Sequence, residues 1–185
     1  MRSAAIHRDH AVFRQILHAM SHPGTVCTLT VPESTNALVQ LLGCLMDNEV
    51  TFSVIGDETG TLAAALSLHT SSSQADIGES DFIIAARGET DGQLSLIKRG
   101  TLEYPDKGST LVYLVDEIVG EGGTAELSGP GIKGTASPLF MGLAAAELAG
   151  LREVNAEYPL GVDAIVLDIY GRIACIPRST RIGEY

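Results

Sequence analysis

Apolar residues recur at three- and four-residue spacing near the start of the chain, which predicts an amphipathic helix there. The helix is expected to start near Asp9 and to end near Ser21, because His22 precedes a proline and is disfavoured in the α region. The next two residues, Pro23 and Gly24, then form a turn. The predicted apolar side of the helix consists of Val12, Phe13, Ile16, Leu17 and Met20.

Three further stretches carry a helical pattern. Residues 38–46 place leucines at three- and four-residue spacing, and residues 62–68 form a shorter apolar segment after a loop bounded by glycines. Ser137 followed by Pro138 is typical of an N-cap and a first helical position. The last helix is therefore expected to run from Ser137 towards Asn155.

Short β-branched and aliphatic runs between these stretches predict strands. They mix with the helices without strict strand–helix alternation, and the later half is rich in hairpin signals such as Glu121–Thr124. This pattern predicts an α/β fold with a single mixed β-sheet flanked by helices, in a three-layer αβα arrangement. The predicted strands are residues 25–30, 50–55, 82–86, 110–115, 125–127, 164–167 and 173–176.

The last two predicted strands form a terminal hairpin, which turns at Tyr170–Arg172 and ends at Pro177. In an antiparallel hairpin the start of the first strand lies beside the end of the second, so Asp163 and Arg178 are expected to be neighbours. An ion pair that closes the hairpin is one interpretation, because such pairs are common. A polar rim beside a ligand or a partner is the other.

The 185 residues are expected to form one domain, residues 1–185, because the length is usual for a single domain and 45% of the residues are hydrophobic. No apolar run approaches the roughly 18 residues that a membrane span requires. The first residues also lack the apolar segment of a secretory signal. The sequence therefore predicts a cytoplasmic protein that does not enter membranes.

The net charge of −11 argues against nucleic acid as a partner, since nucleic-acid binding relies on clustered Lys and Arg that neutralise phosphates. An anionic ligand would have to be held by local groups, because the overall field repels it. The cysteines are widely spaced among apolar neighbours without a Cys-x-x-Cys motif, so buried reduced thiols are expected. They are Cys27, Cys44 and Cys175.

The residues alone predict no catalytic set. His18 and His22 have the spacing of a helical metal pair, but the proline after His22 distorts that geometry, so no metal is expected. Lys98, Lys107 and Lys133 lie in polar or glycine-rich contexts, whereas a Schiff-base lysine requires a desolvated pocket, so no pyridoxal phosphate is expected. The best candidates for a ligand site or an interface are Arg14, the corner that contains Ser21, Pro23 and Gly24, and the residues Asp163, Arg178 and Thr180.

Two outer motifs together resemble the PhnH family, the H subunit of the bacterial carbon–phosphorus lyase system that degrades phosphonates. The first is Phe13–Gly24, and the second combines Pro159–Asp163 with Ile176–Thr180. Between them, three weaker landmarks of the family occur in the same order, so the resemblance spans nearly the whole chain. These landmarks are Met46–Glu49, Leu68–Thr70 and Leu127–Ile132.

The resemblance implies an α/β fold similar to the large domain of pyridoxal-phosphate-dependent transferases, but without that cofactor. It also implies a homodimer that joins the G, I and J subunits in a complex. That complex couples an alkylphosphonate to C1 of the ribose of a nucleoside triphosphate and displaces the base. Because the chemistry is usually assigned to the I subunit, the H subunit is implied to be accessory and not catalytic alone.

Three hypotheses about function stay open at this point. In the first, the chain is the accessory subunit, and Arg14, Arg178 and Thr180 bind a phosphonate or a nucleoside triphosphate or else shape the dimer interface. In the second, the chain is a stand-alone enzyme or binding protein for a small anionic ligand and uses Asp163 and the arginines. In the third, it is a dimeric scaffold without a ligand site.

Overall fold

The computed structural model describes residues 2–32, 36–123 and 125–183, with side chains from Asp9 onward. Within these residues the chain forms four α-helices, two short 3₁₀ helices and eleven strands. The helices are α1 (Arg2–Ser21), α2 (Ala37–Leu45), α3 (Thr61–Thr70) and α4 (Ala145–Val154), with 3₁₀ helices at Leu94–Leu96 and Pro105–Lys107. The strands are β1 (Cys27–Thr28), β2 (Thr51–Ile55), β3 (Ser73–Gln74), β4 (Phe82–Ala85), β5 (Thr110–Val115), β6 (Glu117–Val119), β7 (Leu127–Ser128), β8 (Leu139–Met141), β9 (Asp163–Asp168), β10 (Arg172–Ile176) and β11 (Arg181–Ile182).

Seven strands form one mixed sheet in the order β1-β10-β9-β5-β4-β2-β3. The strands β9, β5, β4, β2 and β3 run parallel to one another. At the other edge, β10 pairs antiparallel with β9, and β1 pairs antiparallel with β10. The central strands are runs of aliphatic side chains, as expected for parallel strands that are covered on both faces. The remaining short strands pair as β11 with β7 and as β6 with β8. The single mixed sheet that the sequence predicts is confirmed.

Successive side chains of the central strands enter two separate cores, because a strand alternates its side chains between the two faces of a sheet. Ile84 and Val112 pack in the core that contains α1, α2 and α3. Their neighbours Ile83 and Leu111 pack in the core that contains α4 and the short strands. Helices therefore cover both faces of the sheet, which confirms the three-layer αβα arrangement. Among the described residues, no helix combines the length and the hydropathy that crossing a bilayer requires.

Only part of the apolar side predicted for α1 is buried. Val12, Ile16 and Ala19 pack against the sheet, whereas Phe13 is 41% exposed and Leu17 is 51% exposed. Each step along a helix rotates by about 100°, so Phe13 and Leu17 form a second ridge beside the buried one. The single apolar face predicted for α1 is therefore divided into a buried and an exposed ridge. The helix begins at Arg2 and not near Asp9, and it ends at Ser21 as predicted.

Two further predictions are wrong in the segment between β5 and α4. Residues 139–141 form β8 and pair with β6, so they are not the first turn of a helix. Gly142, at φ +90°, follows β8, and α4 begins only at Ala145, so Ser137–Pro138 do not cap it. The hairpin predicted at Glu121–Thr124 is also wrong, because β7 pairs with β11; Thr124 itself lies outside the described residues.

Candidate functional site

The terminal hairpin of β9 and β10 brings Asp163 and Arg178 together as predicted. Its register pairs Ala164 with Ile176, so the start of β9 lies beside the residues that follow β10. Arg178 Nη2 and Nε donate to Asp163 Oδ2 at 2.6 and 3.0 Å, and the Arg178 backbone N–H donates to Oδ1 at 2.8 Å. The Asp163 carboxylate thus accepts three hydrogen bonds from one residue, and the pair closes the hairpin.

Arg178 is also held on its other side. Its Nη1 donates to the backbone carbonyl of Pro105 at 2.6 Å. The side chain of Arg178 is 14% exposed and that of Asp163 is 27% exposed, so water screens this ion pair less than a surface pair. The guanidinium therefore clamps the hairpin to the 3₁₀ helix at Pro105–Lys107, and Asp163 neutralises most of its charge.

A glycine-rich loop, Gly129–Gly131, connects the two outer sequence motifs in space. A side chain at Gly129 would meet the carbonyl oxygen of Ser179 at 3.2 Å, and a side chain at Gly131 would overlap the carbonyl of Ser21. Both glycines have positive φ, at +128° and +82°, where residues with a Cβ are strained. The backbone of the loop therefore packs directly on the end of α1 and on the segment after β10.

The Pro23–Gly24 turn is buried beneath the same loop. The Gly24 N–H donates to the Cys175 carbonyl at 3.2 Å, which ties the turn to β10. Arg14 lies elsewhere: it is exposed on the outer side of α1 and lines none of the three pockets described below. The predicted site residues therefore gather around the glycine loop and the end of the hairpin, except for Arg14, which lies apart from them.

A pocket of about 770 Å³ opens beside the glycine loop, between the end of α4 and the segment after β10. Arg152, Arg178 and Arg181 line it together with Asn155 and Thr180, and none of its described lining residues is acidic. The pocket is therefore basic in a chain with a net charge of −11. Sequence reasoning missed Arg152, Asn155 and Arg181, because only the docking of α4 beside the hairpin brings them together.

Thr180 supplies a buried hydroxyl to the wall of this pocket. The residue is 6% exposed, and its Oγ1 has no hydrogen-bond partner among the described residues. A buried polar group without a partner costs about 1–3 kcal/mol. Asn155 is occupied, since its amide exchanges hydrogen bonds with the Val162 backbone at 3.1 and 2.7 Å. Thr180 is thus a polar group of the pocket that a ligand atom could satisfy.

A smaller pocket of about 440 Å³ lies on the other side of Arg178. The two pockets share Tyr158, Arg178 and Ser179, and Tyr158 is an exposed aromatic side chain between them. Asp106 and Asp163 line the smaller pocket. Their negative charges make it the less suitable of the two for an anion.

A third pocket, of about 500 Å³, borders the carboxyl ends of β5 and β9. Asp168 lies in its lining, but its carboxylate accepts hydrogen bonds from the Ile118 backbone N–H at 3.0 Å and from Arg172 Nε at 2.6 Å. The Tyr170 and Arg172 backbone N–H groups donate to its other oxygen, both at 2.9 Å. Asp168 therefore holds the turn of the terminal hairpin.

A buried carboxylate, Glu147 in the first turn of α4, gave no signal in the sequence. Its Oε1 accepts from the Thr90 backbone N–H at 2.9 Å, and its Oε2 accepts from the Tyr113 hydroxyl at 2.6 Å. Burial and the hydrogen bond to Glu147 raise the pKa of Tyr113, so the phenol remains a protonated donor. Since none of these residues lines the basic pocket, we interpret the cluster as the joint between α4 and the sheet.

The two outer motifs meet at the glycine loop, and the sequence that carries them can be compared with those of known proteins. A family model described as bacterial phosphonate metabolism protein (PhnH) matches residues 3–183. The chain belongs to the PhnH family. The family resemblance inferred from the two outer motifs is therefore confirmed, and with it the link to phosphonate metabolism.

Two curated relatives of this PhnH-family chain align over most of their length. The putative C-P lyase subunit protein HtxG of Stutzerimonas stutzeri is 30% identical over 178 residues, which cover 95% of this chain and 86% of the relative. The alpha-D-ribose 1-methylphosphonate 5-triphosphate synthase subunit PhnH of Rhizobium meliloti (strain 1021) is 28% identical over 181 residues, which cover 93% of this chain and 88% of the relative. Both relatives carry the name of a subunit.

Proposed function

We propose that this chain is an accessory subunit of a carbon–phosphorus lyase complex and serves the step that couples an alkylphosphonate to C1 of the ribose of a nucleoside triphosphate. The observation that carries the proposal is the match to the PhnH family over residues 3–183. The name of the Rhizobium meliloti relative, a subunit of a synthase of a ribose methylphosphonate triphosphate, supports this step. The partners are the G, I and J subunits that the family resemblance implies, and the chain itself forms a homodimer.

The basic pocket is the proposed ligand site of this subunit. Arg181 supplies positive charge, and arginine is the side chain best suited to hydrogen-bond the oxygens of a phosphonate or phosphate. Thr180 Oγ1 adds a hydroxyl without a described partner, and Arg181 is exposed at the rim. Arg178 contributes mainly by shaping the wall, because Asp163 and Pro105 already accept its hydrogen bonds.

The subunit is proposed to work without pyridoxal phosphate or a metal of its own. Lys98 Nζ lies 2.6 Å from Asp81 Oδ1 in an ion pair, and Lys107 and Lys133 are exposed. A lysine that forms a Schiff base requires a desolvated pocket, and none of these three lysines lines one of the three pockets. On this proposal, the covalent chemistry belongs to another subunit.

A reconstitution in which single subunits are omitted tests the accessory role. Coupling of methylphosphonate to a nucleoside triphosphate is followed with the G, I and J subunits, with and without this chain. We expect product only when this chain is present, and no product from this chain alone. Turnover by the isolated chain would favour the stand-alone enzyme instead, and product without this chain would overturn the proposal.

The ligand site has a separate test in the isolated chain. Calorimetry with methylphosphonate and with inorganic phosphate distinguishes a phosphonate site from a general phosphate site. We expect Arg181→Ala to weaken binding by at least about tenfold, because it removes a charge-assisted hydrogen bond worth roughly 1.5–3 kcal/mol. Arg87→Ala is the matched control, since Arg87 pairs with Glu58 and does not line this pocket. Equal affinity of the two variants would contradict the assignment of the pocket.

A further inference from the structure

Helix α1 carries two apolar ridges, and only one of them is used by the fold. Val12 and Ile16 fill the core beneath the helix, while Phe13 and Leu17 lie one turn apart on the outer side and are 41% and 51% exposed. Single exposed apolar side chains are common on protein surfaces. Two of them stacked along one helix, beside the ridge that is buried, form a continuous apolar strip.

Positive and titratable side chains border this strip. His10, Arg14 and His18 follow each other at four-residue spacing and are all exposed, so they form a row parallel to Phe13 and Leu17. We call these five residues the outer face of α1. The nearby Asp9 lies against α2, where its carboxylate accepts a hydrogen bond from Gln40 at 2.7 Å.

The charge of this helix is opposite to that of the chain as a whole. Residues 2–21 contain three arginines and one aspartate, whereas the chain has a net charge of −11. Complementary charges favour association and fix orientation, while like charges that face each other across an interface are unfavourable. The charge of the outer face therefore restricts what can cover it.

A second copy of this chain does not fit that restriction. A twofold interface places the same patch of both copies in contact, which would put both Arg14 charges into one interface, and the outer face contains no carboxylate to pair with them. Contact between the outer face and an acidic face of another copy would be head-to-tail, and such contacts build rings or open fibres. A different protein with an apolar centre and a carboxylate rim satisfies both the apolar strip and the charge of Arg14.

We propose that the outer face of α1 is the surface on which this chain docks onto another subunit of its complex, one that presents an apolar patch bordered by Asp and Glu side chains. Phe13 and Leu17 supply the apolar contact, and Arg14 supplies charge-assisted hydrogen bonds at the rim. This inference rests on the proposed function only in requiring a complex of several subunits.

The test uses this chain co-expressed with the G, I and J subunits and purified as a complex. The dissociation constant is measured for Leu17→Glu and for Arg14→Glu, each against a matched control. Leu68→Glu changes a leucine that is exposed on α3, and Lys107→Glu reverses an exposed charge away from α1. A urea unfolding curve for each variant shows that these surface changes leave the fold intact.

We expect Leu17→Glu and Arg14→Glu each to raise the dissociation constant by at least about tenfold, and the two controls to change it by less than about twofold. Weakening of the wild-type complex by added salt is expected as well, because the rim is electrostatic. A complex that forms normally with both α1 variants would overturn this inference and leave the proposed function standing. Loss of a homodimer in these variants, with the complex unaffected, would overturn it too. A wild-type chain that forms no complex would overturn both proposals.

Discussion

Arg178 Nη2 lies 2.6 Å from Asp163 Oδ2, and the same arginine donates from Nη1 to the Pro105 carbonyl at 2.6 Å. One guanidinium thus fastens the two strands of the terminal hairpin to each other and to the 3₁₀ helix at Pro105–Lys107. The pair lies at the boundary between two pockets. The pair therefore holds in place the segment after β10, where Ser179 and Thr180 line the basic pocket.

Removal of one partner of this pair is expected to cost far more stability than removal of a surface partner. Asp163→Ala leaves a guanidinium that is only 14% exposed without its carboxylate, and we expect a loss on the order of 3 kcal/mol in the free energy of unfolding. Glu58→Ala is the control, because the Arg87–Glu58 pair is 51% and 79% exposed and should contribute less than about 1 kcal/mol. Urea unfolding measures both, and equal losses would contradict the clamp.

The packing of the glycine loop on α1 can be tested with two glycines of similar conformation. Gly131 and Gly134 have φ of +82° and +80°, but a Cβ at Gly131 would overlap the Ser21 carbonyl, whereas a Cβ at Gly134 has no atom within 4 Å. Gly134→Ala should therefore cost only the conformational strain, about 1–2 kcal/mol. We expect Gly131→Ala to destabilise clearly more in thermal or urea unfolding. Similar losses would show that the loop does not depend on close contact with α1.

The Thr180 hydroxyl is expected to matter for ligand binding and not for folding. Thr180→Val keeps the shape of the side chain and removes a buried oxygen that has no partner among the described residues. We expect unchanged or higher stability, and weaker binding of methylphosphonate or phosphate, since the hydroxyl can bond to a ligand oxygen. Calorimetric titration and unfolding curves give the two quantities. A clear loss of stability would mean that Thr180 already has a structural partner.

Asp81 and Lys98 give a prediction for the dependence of stability on pH. Burial alone would raise the pKa of Asp81, but hydrogen bonds from Lys98 and Thr51 outweigh it and hold the pKa below its ordinary value. A carboxyl whose pKa is lowered by folding stabilises the protein above its unfolded pKa, about 3.9, and loses this contribution as the pH falls through the folded value.

Lys98→Met should therefore raise the Asp81 pKa, which an NMR titration of the carboxyl carbons can follow. The stability difference from wild type should be present at neutral pH and should shrink below about pH 4. Its size is expected to be no more than about 1 kcal/mol, since the pair is partly exposed. Lys107→Met, at an exposed lysine, is the control. An unchanged Asp81 pKa in Lys98→Met would refute the assigned cause.

The terminal hairpin and the contact between Asp163 and Arg178 were predictable, because a local turn between two antiparallel strands fixes which residues lie opposite each other. The end of α1 at Ser21 was predictable because a proline acts on the residue before it. The strand predicted at residues 25–30 is reduced to Cys27–Thr28. The local sequence pattern does not predict the length of this strand, since pairing with β10 decides which residues of the run are strand.

Other features depend on contacts that no local pattern records. Residues 139–141 form a strand only because β6 lies beside them, and the basic pocket exists only because α4 brings Arg152 next to Arg181. The cysteines were expected to be buried, and Cys175 is, whereas Cys27 and Cys44 are half-buried. Periodicity also could not show which ridge of α1 faces the sheet, because both ridges are apolar.

Native mass determination of this chain co-expressed with the G, I and J subunits tests the central proposal most directly. We expect one stoichiometric species that contains this chain with its partners. A clean homodimer, with no bound partner under conditions in which the other three subunits associate, would contradict the proposal that this PhnH-family chain works as a subunit of the complex.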